Sequence, residues 1–481
     1  MEDSVCPIDV QFPDQISALL SPPPLSQVQE YFDALVAERQ CSGLRVKSES
    51  EHGKGVYNEL DFQEDDLILK DQMLAGAQHS SNKIDCLVCS SCFRFIGSIE
   101  LQIGRKLYLE ELGVSCVDEC GSSDETRCSS SSEKFRLPRD TIQSLMNGHL
   151  HLPYSENFDL PSVVSCLGGC EEAFYCREEV NSASHNKTGF CSQSCAEADW
   201  STFHSLLCTG PGSSSHNTEA LEKFTTHADE TNDIFILAAK VISFSVLRYR
   251  KLKAARVENR GKHDTSNPCN TCNFPLLLEA WKPVSMGFKK RWWDCIALPE
   301  DIESCDEAEF RMQIKDLAFE SLQLLKEAIF DEELFSLDIY GHIIGMFELN
   351  NLDLVVASPV EDYVLYIDDL PLAQKKEAGM ISMSILDALG DDYSIPCQGS
   401  AFFPLQSCMN HSCVPNAKAF KRDEDKDGQA TIIALRPIKK GEEITISYID
   451  EDLPFKERQE SLADYGFICK CPKCTEEEEE G

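Results

Sequence analysis

Three cysteines near the end of this chain constrain its fold more than any other stretch. They stand in Cys469-Lys470-Cys471-Pro472-Lys473-Cys474. A C-x-C-x-x-C spacing lets three thiolates face one metal ion, but a closed structural zinc takes four ligands. The fourth must come from elsewhere, and Cys413 is the candidate, in Asn410-His411-Ser412-Cys413 with Pro415-Asn416. One ion would then tie the tail of the chain to the Asn-His loop. Between them runs Gly441-Glu442-Glu443-Ile444-Thr445-Ile446-Ser447-Tyr448, read as a strand that carries Tyr448.

The metal reading gains weight from the other cysteines, 24 in 481 residues. Met1 to Ser17 carries Asp and Glu and no long apolar core, so no secretory leader is expected. Thiols inside a cell stay reduced, which argues against a disulfide framework and for metal ligands. The most apolar segment, Ile234 to Leu247, is short and broken by Lys240, so it reads as a buried helix and no membrane partner is expected. The formal net charge is −38, from 82 acidic against 44 basic residues. Such a field repels a nucleic-acid backbone, attracts basic partners such as lysine-rich tails, and otherwise solvates the surface.

The chain divides by pattern as follows: an N-terminal extension and helix at 1–40, an extended part at 41–85, a cysteine-rich insertion at 86–208, a helical insert at 209–339, a core at 340–450, a zinc region at 451–475 and an acidic tail at 476–481. Leu25 to Arg39 reads as a helix capped by Ser26, with Val28, Phe32, Leu35 and Val36 as its apolar stripe. His52-Gly53-Lys54-Gly55 is a glycine-flanked turn that permits a close backbone approach to a ligand. Glu476 to Glu480 reads as a disordered tail. The C-x-x-C at Cys269 and Cys272 reads as structural thiols.

Within the insertion, Cys89 and Cys92 pair with Cys191 and Cys195, while Cys166 and Cys170 pair with His204 and Cys208. Interleaved pairs make a cross-braced double zinc site. With Asp199-Trp200 before His204, the pattern resembles the MYND zinc finger. Two intervals are longer than in that finger. Ala173-Phe174-Tyr175-Cys176 also matches the start of its third pair, so 177–191 reads as an insertion, with Cys176 and Cys191 competing for one ligand position and the second metal site open to distortion or loss.

The C-terminal motifs resemble the SET domain of protein lysine methyltransferases, and the last cysteine cluster resembles the post-SET zinc. A SET domain split by such a finger is the arrangement of the SET-and-MYND family, and the pattern is most similar to the plant trithorax-related SET proteins. The resemblance implies an α+β, β-clip fold with a pseudoknot-like C-terminal segment, a helical insert, the embedded finger and the post-SET zinc site. It implies S-adenosyl-L-methionine as cofactor, held by His52, Lys54, Asn350, Asn410, His411, Tyr448 and Phe467. Tyr448 and Tyr465 would form the catalytic lysine channel. Zinc would sit on Cys413, Cys469, Cys471 and Cys474, with up to two more ions in the finger. The implied substrate is a histone or another lysine-bearing basic protein, with proline-containing peptides or transcription factors as finger partners. The implied compartment is the nucleus, with the cytoplasm beside it. Several relatives continue into a helical domain over the substrate cleft, so a more open cleft is expected here. The alternative reading is a zinc-dependent interaction scaffold with a weak or inactive SET domain.

Overall fold

A computed structural model describes residues 6–50, 53–113, 136–170, 189–260, 273–299, 302, 306–329 and 336–480. His52, Cys176, Cys269 and Cys272, and most of 177–191, lie outside the described residues.

Twelve short strands among them build the α+β architecture: β1 (Leu44–Ser50), β2 (Gly53–Asn58), β3 (Leu67–Asp71), β4 (Ala75–Gln78), β5 (Val164–Ser165), β6 (Gly189–Phe190), β7 (Asn351–Val356), β8 (Cys397–Phe402), β9 (Asn410–His411), β10 (Ala417–Ala419), β11 (Ala430–Ala434) and β12 (Glu443–Ile446). They form small sheets in the orders β1-β2-β12-β9, β10-β11-β3, β4-β8-β7 and β5-β6. All the pairings are antiparallel except β9 with β12, where Asn410 lies opposite Thr445 and His411 opposite Ile446. β12 is thus inserted between β2, from the start of the chain, and β9. That insertion brings the Asn410-His411 loop, the Lys54 turn and Tyr448 to one place.

The helix Leu25–Glu38 covers this sheet with Val28, Phe32 and Leu35, which pack on Leu44, Val46 and Val56. Each large apolar side chain so buried contributes roughly 1.5–3 kcal/mol. Ser26 does not cap the helix: Pro24 holds the N-cap position, and no side chain bonds there. Ile234–Arg260 is one continuous helix. Its first half is buried with Trp281, Trp292, Tyr340 and Phe347 in the largest core, and its polar second half runs out toward solvent, where Val257 is exposed.

The helices Ile99–Glu111 and Arg139–Met146 belong to the cysteine-rich stretch of sequence. They pack instead on Pro359–Asp368 and Leu372–Leu389 in a core of their own. The expected disorder of the tail is corrected. The acidic tail is helical from Pro472 to Glu480, because a proline starts it and Glu477 forms an ion pair with the buried Arg458 at 2.6 Å. The Asp199-Trp200 segment of the finger lies in the helix Gln193–Asp199, followed by a wide π-type turn at Trp200–His204 and the short helix Ser205–Leu207. No helix among the described residues is long and apolar enough to cross a membrane.

Candidate active site and its metal clusters

Gly55 sits where three chain segments converge. A Cβ there would come within 2.5 Å of the Glu443 carboxylate and 3.3 Å of the Asn410 amide, so a side chain at this position would displace Glu443 from its bond to Asn410. The Asn410 amide uses that room. Its Nδ2 donates to the Lys54 carbonyl at 3.0 Å and to Glu443 Oε1 at 2.7 Å. Asn416, buried beside it, reads the backbone of β12. Its amide donates to Glu443 O at 2.7 Å, and its side-chain oxygen accepts from Thr445 N at 2.9 Å. The Asn410-to-Asn416 loop is therefore bonded to both β2 and β12.

Tyr448 lies just past that strand. Its hydroxyl donates to Met409 O at 2.5 Å, and its backbone N–H donates to His411 Nδ1 at 3.0 Å. Nδ1 is thus an acceptor, the imidazole proton sits on Nε2, and Nε2 faces Cys413 Sγ at 3.2 Å. Burial, with the nearby Arg458 charge, holds His411 down to about 4, so the ring is neutral. Burial, and then Cys408, Tyr465 and Glu443, push the Tyr448 phenol well above its ordinary range, so it keeps its proton.

Three aromatic contacts enclose Tyr448. Its ring lies 5.2 Å from Tyr465, 6.4 Å from Phe467 and 5.4 Å from His411. Local chain geometry explains why Tyr465 and Phe467 both face it. The helix Phe455–Asp464 ends in a Schellman turn. Gly466, at φ +85°, donates to Ala463 O at 2.8 Å, and Phe467 N donates to Leu462 O at 3.5 Å. Phe467 keeps 36 % of its surface exposed and Ile468 keeps 72 %, an open apolar face on which a flat ring can stack.

Lys54 and Asn350 meet the same segment from two sides. The Lys54 ammonium donates to Met286 O, and Asn350 Nδ2 donates to Phe288 O at 2.7 Å. Asn350 ends the helix Leu337–Asn350 and not a strand. Of the residues expected at the site, Lys54, Asn410, His411, Tyr448, Tyr465 and Phe467 gather directly, and Asn350 joins through the 286–288 backbone.

Among the described residues, three groups of donors could hold metal ions. Cys413, Cys469, Cys471 and Cys474 are one group, Cys89, Cys92, Cys191 and Cys195 a second, and Cys166, Cys170, His204 and Cys208 a third, with the ligand atoms of each within 4.8 Å of one another. The pairs interleave as their spacing predicts, and Cys191 stands in the second group. Four sulfurs this close cannot all be thiolates without a counter-charge. Burial, and after it Cys471 and Cys474, push Cys469 up to about 11, and burial with the Cys89 charge pushes Cys191 up to about 11. Against its own burial, the backbone N–H groups of Cys474 and Cys413 bring Cys471 down to about 7. A divalent soft cation relieves that crowding, so the donor sets fit zinc.

Sequence reasoning misses Arg458. Its side chain is 1 % exposed and donates to Leu453 O at 2.6 Å and to Cys474 Sγ at 3.6 Å. A lone arginine in a polar helix gives no sign of what it faces. Glu443 and Asn416 fall within the motifs, but their bonds to the loop depend on the β9–β12 pairing.

The SET domain family profile matches residues 53–449. The chain is 61 % identical over 99 % of both lengths to the histone-lysine N-methyltransferase ATXR2 of Arabidopsis thaliana. It is 27 % identical to the protein-lysine N-trimethyltransferase SMYD5 of Gallus gallus, over 59 % of this chain and 63 % of that one. An 80-residue stretch is 44 % identical to a SET and MYND domain-containing protein of Dictyostelium discoideum, covering 16 % of this chain and 19 % of that one. With the profile spanning most of the chain and a full-length relative at this identity, the chain belongs to the SET-domain family.

Proposed function

We propose that this protein transfers a methyl group from S-adenosyl-L-methionine to lysine side chains, with histone tails as the substrate class. The observation that carries the reading is Tyr448, pinned through its hydroxyl to Met409 O and ringed by His411, Tyr465 and Phe467. The names of the full-length relative and of the lysine trimethyltransferase support it. They do not favour the scaffold reading, in which the SET domain would be inactive.

When bound, the cofactor supplies a methyl on a sulfonium sulfur, which departs with the C–S electron pair as a neutral thioether. The chain must align a lysine amine behind that methyl and keep water out. Tyr448 spends its proton on Met409 O, so its oxygen lone pairs remain to orient the amine and the polarised methyl. Tyr465 walls the amine's approach, and its hydroxyl reaches Tyr448 O at 3.5 Å. The amine reacts neutral and loses a proton to solvent. Phe467 covers the adenine, while Lys54, Asn350 and the Asn410-His411 backbone hold the rest of the cofactor. Cys413, Cys469, Cys471 and Cys474 would hold a zinc ion that fixes the Tyr465–Phe467 segment, and the other two donor groups would hold ions that order the finger. The finger's proposed partners are proline-containing peptides or transcription factors, and the proposed compartment is the nucleus, with the cytoplasm beside it.

The test is a histone panel incubated with wild-type protein and with Tyr448→Phe, read by mass spectrometry. The variant should lose methyl transfer by about a hundredfold or more, with its thermal transition and its cofactor affinity kept. Transfer at the wild-type rate removes Tyr448 from the chemistry, and absence of methylation by the wild type on every lysine substrate overturns the reading.

A further inference from the structure

The C-terminal end of the helix Phe274–Ser285 points toward the Lys54 turn, and two lysines crowd it. Lys289 Nζ donates to the carbonyls of Val284, Ser285 and Gly287, each at 3.2 Å. Lys54 Nζ donates to Met286 O, one carbonyl along. A helix end carries about half a negative charge, which two ammonium groups exceed. Among the described residues, neither lysine has a carboxylate within ion-pair distance. Lys290 has none either, and its ammonium lies where a Cβ on Gly466, between Tyr465 and Phe467, would come within 2.7 Å. Positive charge without a carboxylate in a half-buried place is costly, and it lies beside the Asn410 loop, whose amide Nδ2 donates to the Lys54 carbonyl at 3.0 Å.

We infer that Lys289, with Lys54, forms an anion-holding pair for the carboxylate end of the cofactor, which sets the direction in which the cofactor lies. The inference rests on the methyltransferase reading above. S-Adenosylmethionine carries one carboxylate, its only anionic group, so its amino-acid end suits the lysines if the carboxylate is turned toward them and the α-ammonium on the same carbon away, with the sulfonium kept at a distance. The adenine then falls at Phe467 and the methyl at Tyr448. Burial, and after it the Lys54 charge, hold the Lys289 ammonium down to about 8, a strain on the charged form that a bound carboxylate relieves. The plainer role, a cation capping a helix end, explains the three carbonyl bonds but not the second lysine beside them.

The test is calorimetric titration of the full chain with S-adenosylmethionine and with its decarboxylated analogue. Wild-type protein should bind the carboxylate-bearing form about tenfold tighter or more, the scale of one charge-assisted hydrogen bond. In Lys289→Met that preference should shrink to about threefold or less, with affinity for the decarboxylated form little changed. A mere helix cap would weaken both compounds alike, and an unchanged preference overturns the inference. Amine acylation of wild-type protein, read by mass spectrometry, gives an answer even where the variant fails to fold. S-Adenosylmethionine should shield Lys289 and the decarboxylated form should not, and equal shielding overturns the inference. Wild-type protein that binds both compounds equally overturns this inference alone, whereas binding of neither overturns the methyltransferase reading with it.

Discussion

The C-terminal thiol group and the two finger groups use the same donor chemistry, yet they stand in different relations to Tyr448. Cys413 is joined to the site by one side chain, because His411 faces its sulfur with Nε2 and takes the Tyr448 N–H on Nδ1. Cys469 follows Phe467 by two residues, and the buried thiols pack with Tyr448 and Tyr465 in one cluster. The finger groups instead form a separate cluster with Phe190, Ala196 and Trp200. They dock through Phe203 on the long helix, where Ser243 Oγ donates to Phe203 O at 2.6 Å and the Phe203 and Phe244 rings lie 6.2 Å apart. One donor group therefore packs against Tyr448 and Tyr465, and the other two lie in a module of their own. Ligand spacing alone makes the three look alike. Their difference comes from what the second layer of residues touches.

Perturbing that second layer sharpens the contrast. The largest effect is expected at Asp71, which is fully buried. Its Oδ2 accepts from Leu405 N at 2.7 Å and Gln406 N at 3.0 Å, holding the turn that leads into Met409 and Asn410. Burial raises this carboxyl to about 6. A raised acid contributes stability that is complete below its unfolded value near 4 and is lost as pH rises through 6. Wild-type stability relative to Asp71→Asn should therefore fall by about 3 kcal/mol between pH 4 and 6, measured by denaturant titration. A difference independent of pH would show that the fold leaves the Asp71 carboxyl at its unfolded value.

Next comes Arg458, the counter-charge beside Cys474. Arg458→Met should weaken metal retention in the C-terminal group by roughly 10–100-fold, followed by competition with a chelator, and should leave the finger's metal content unchanged. Equal loss from all three groups would erase the distinction. The smallest effect is expected at the finger's docking surface. Ser243→Ala should cost about 1 kcal/mol of stability with cofactor affinity intact, and a matching loss of affinity would mean that the finger helps to build the pocket.

Much of the site is legible in the amino-acid sequence. The C-x-C-x-x-C run asks for a fourth donor and the fold sets Cys413 beside it, while the interleaved spacing of the finger pairs anticipates the two groups the fold assembles. Placement by the backbone is harder to read. Asn350 closes a helix whose last turn runs straight into β7, and in Glu348-Leu349-Asn350-Asn351 the paired asparagines mark a stop without saying which element they end. The helix Leu372–Leu389 gives a weak signal because it presents Leu372, Met380, Ile381 and Met383 to solvent, which blurs its apolar stripe. The acidic tail reads as disordered because five glutamates repel one another in isolation; Arg458, distant in the sequence, reverses that. Lys289 stands in an ordinary basic run, and only the fold sets it beside Lys54.

The central claim is that one metal cluster shapes the cofactor pocket and the finger clusters do not. Titrating S-adenosylmethionine into two full-length variants, Cys471→Ser and Cys170→Ala, tests it most directly, with zinc content measured alongside. The account predicts that Cys471→Ser loses detectable binding, whereas Cys170→Ala binds within about twofold of wild type despite losing finger zinc. Wild-type affinity in Cys471→Ser, or equal losses in the two variants, would contradict it.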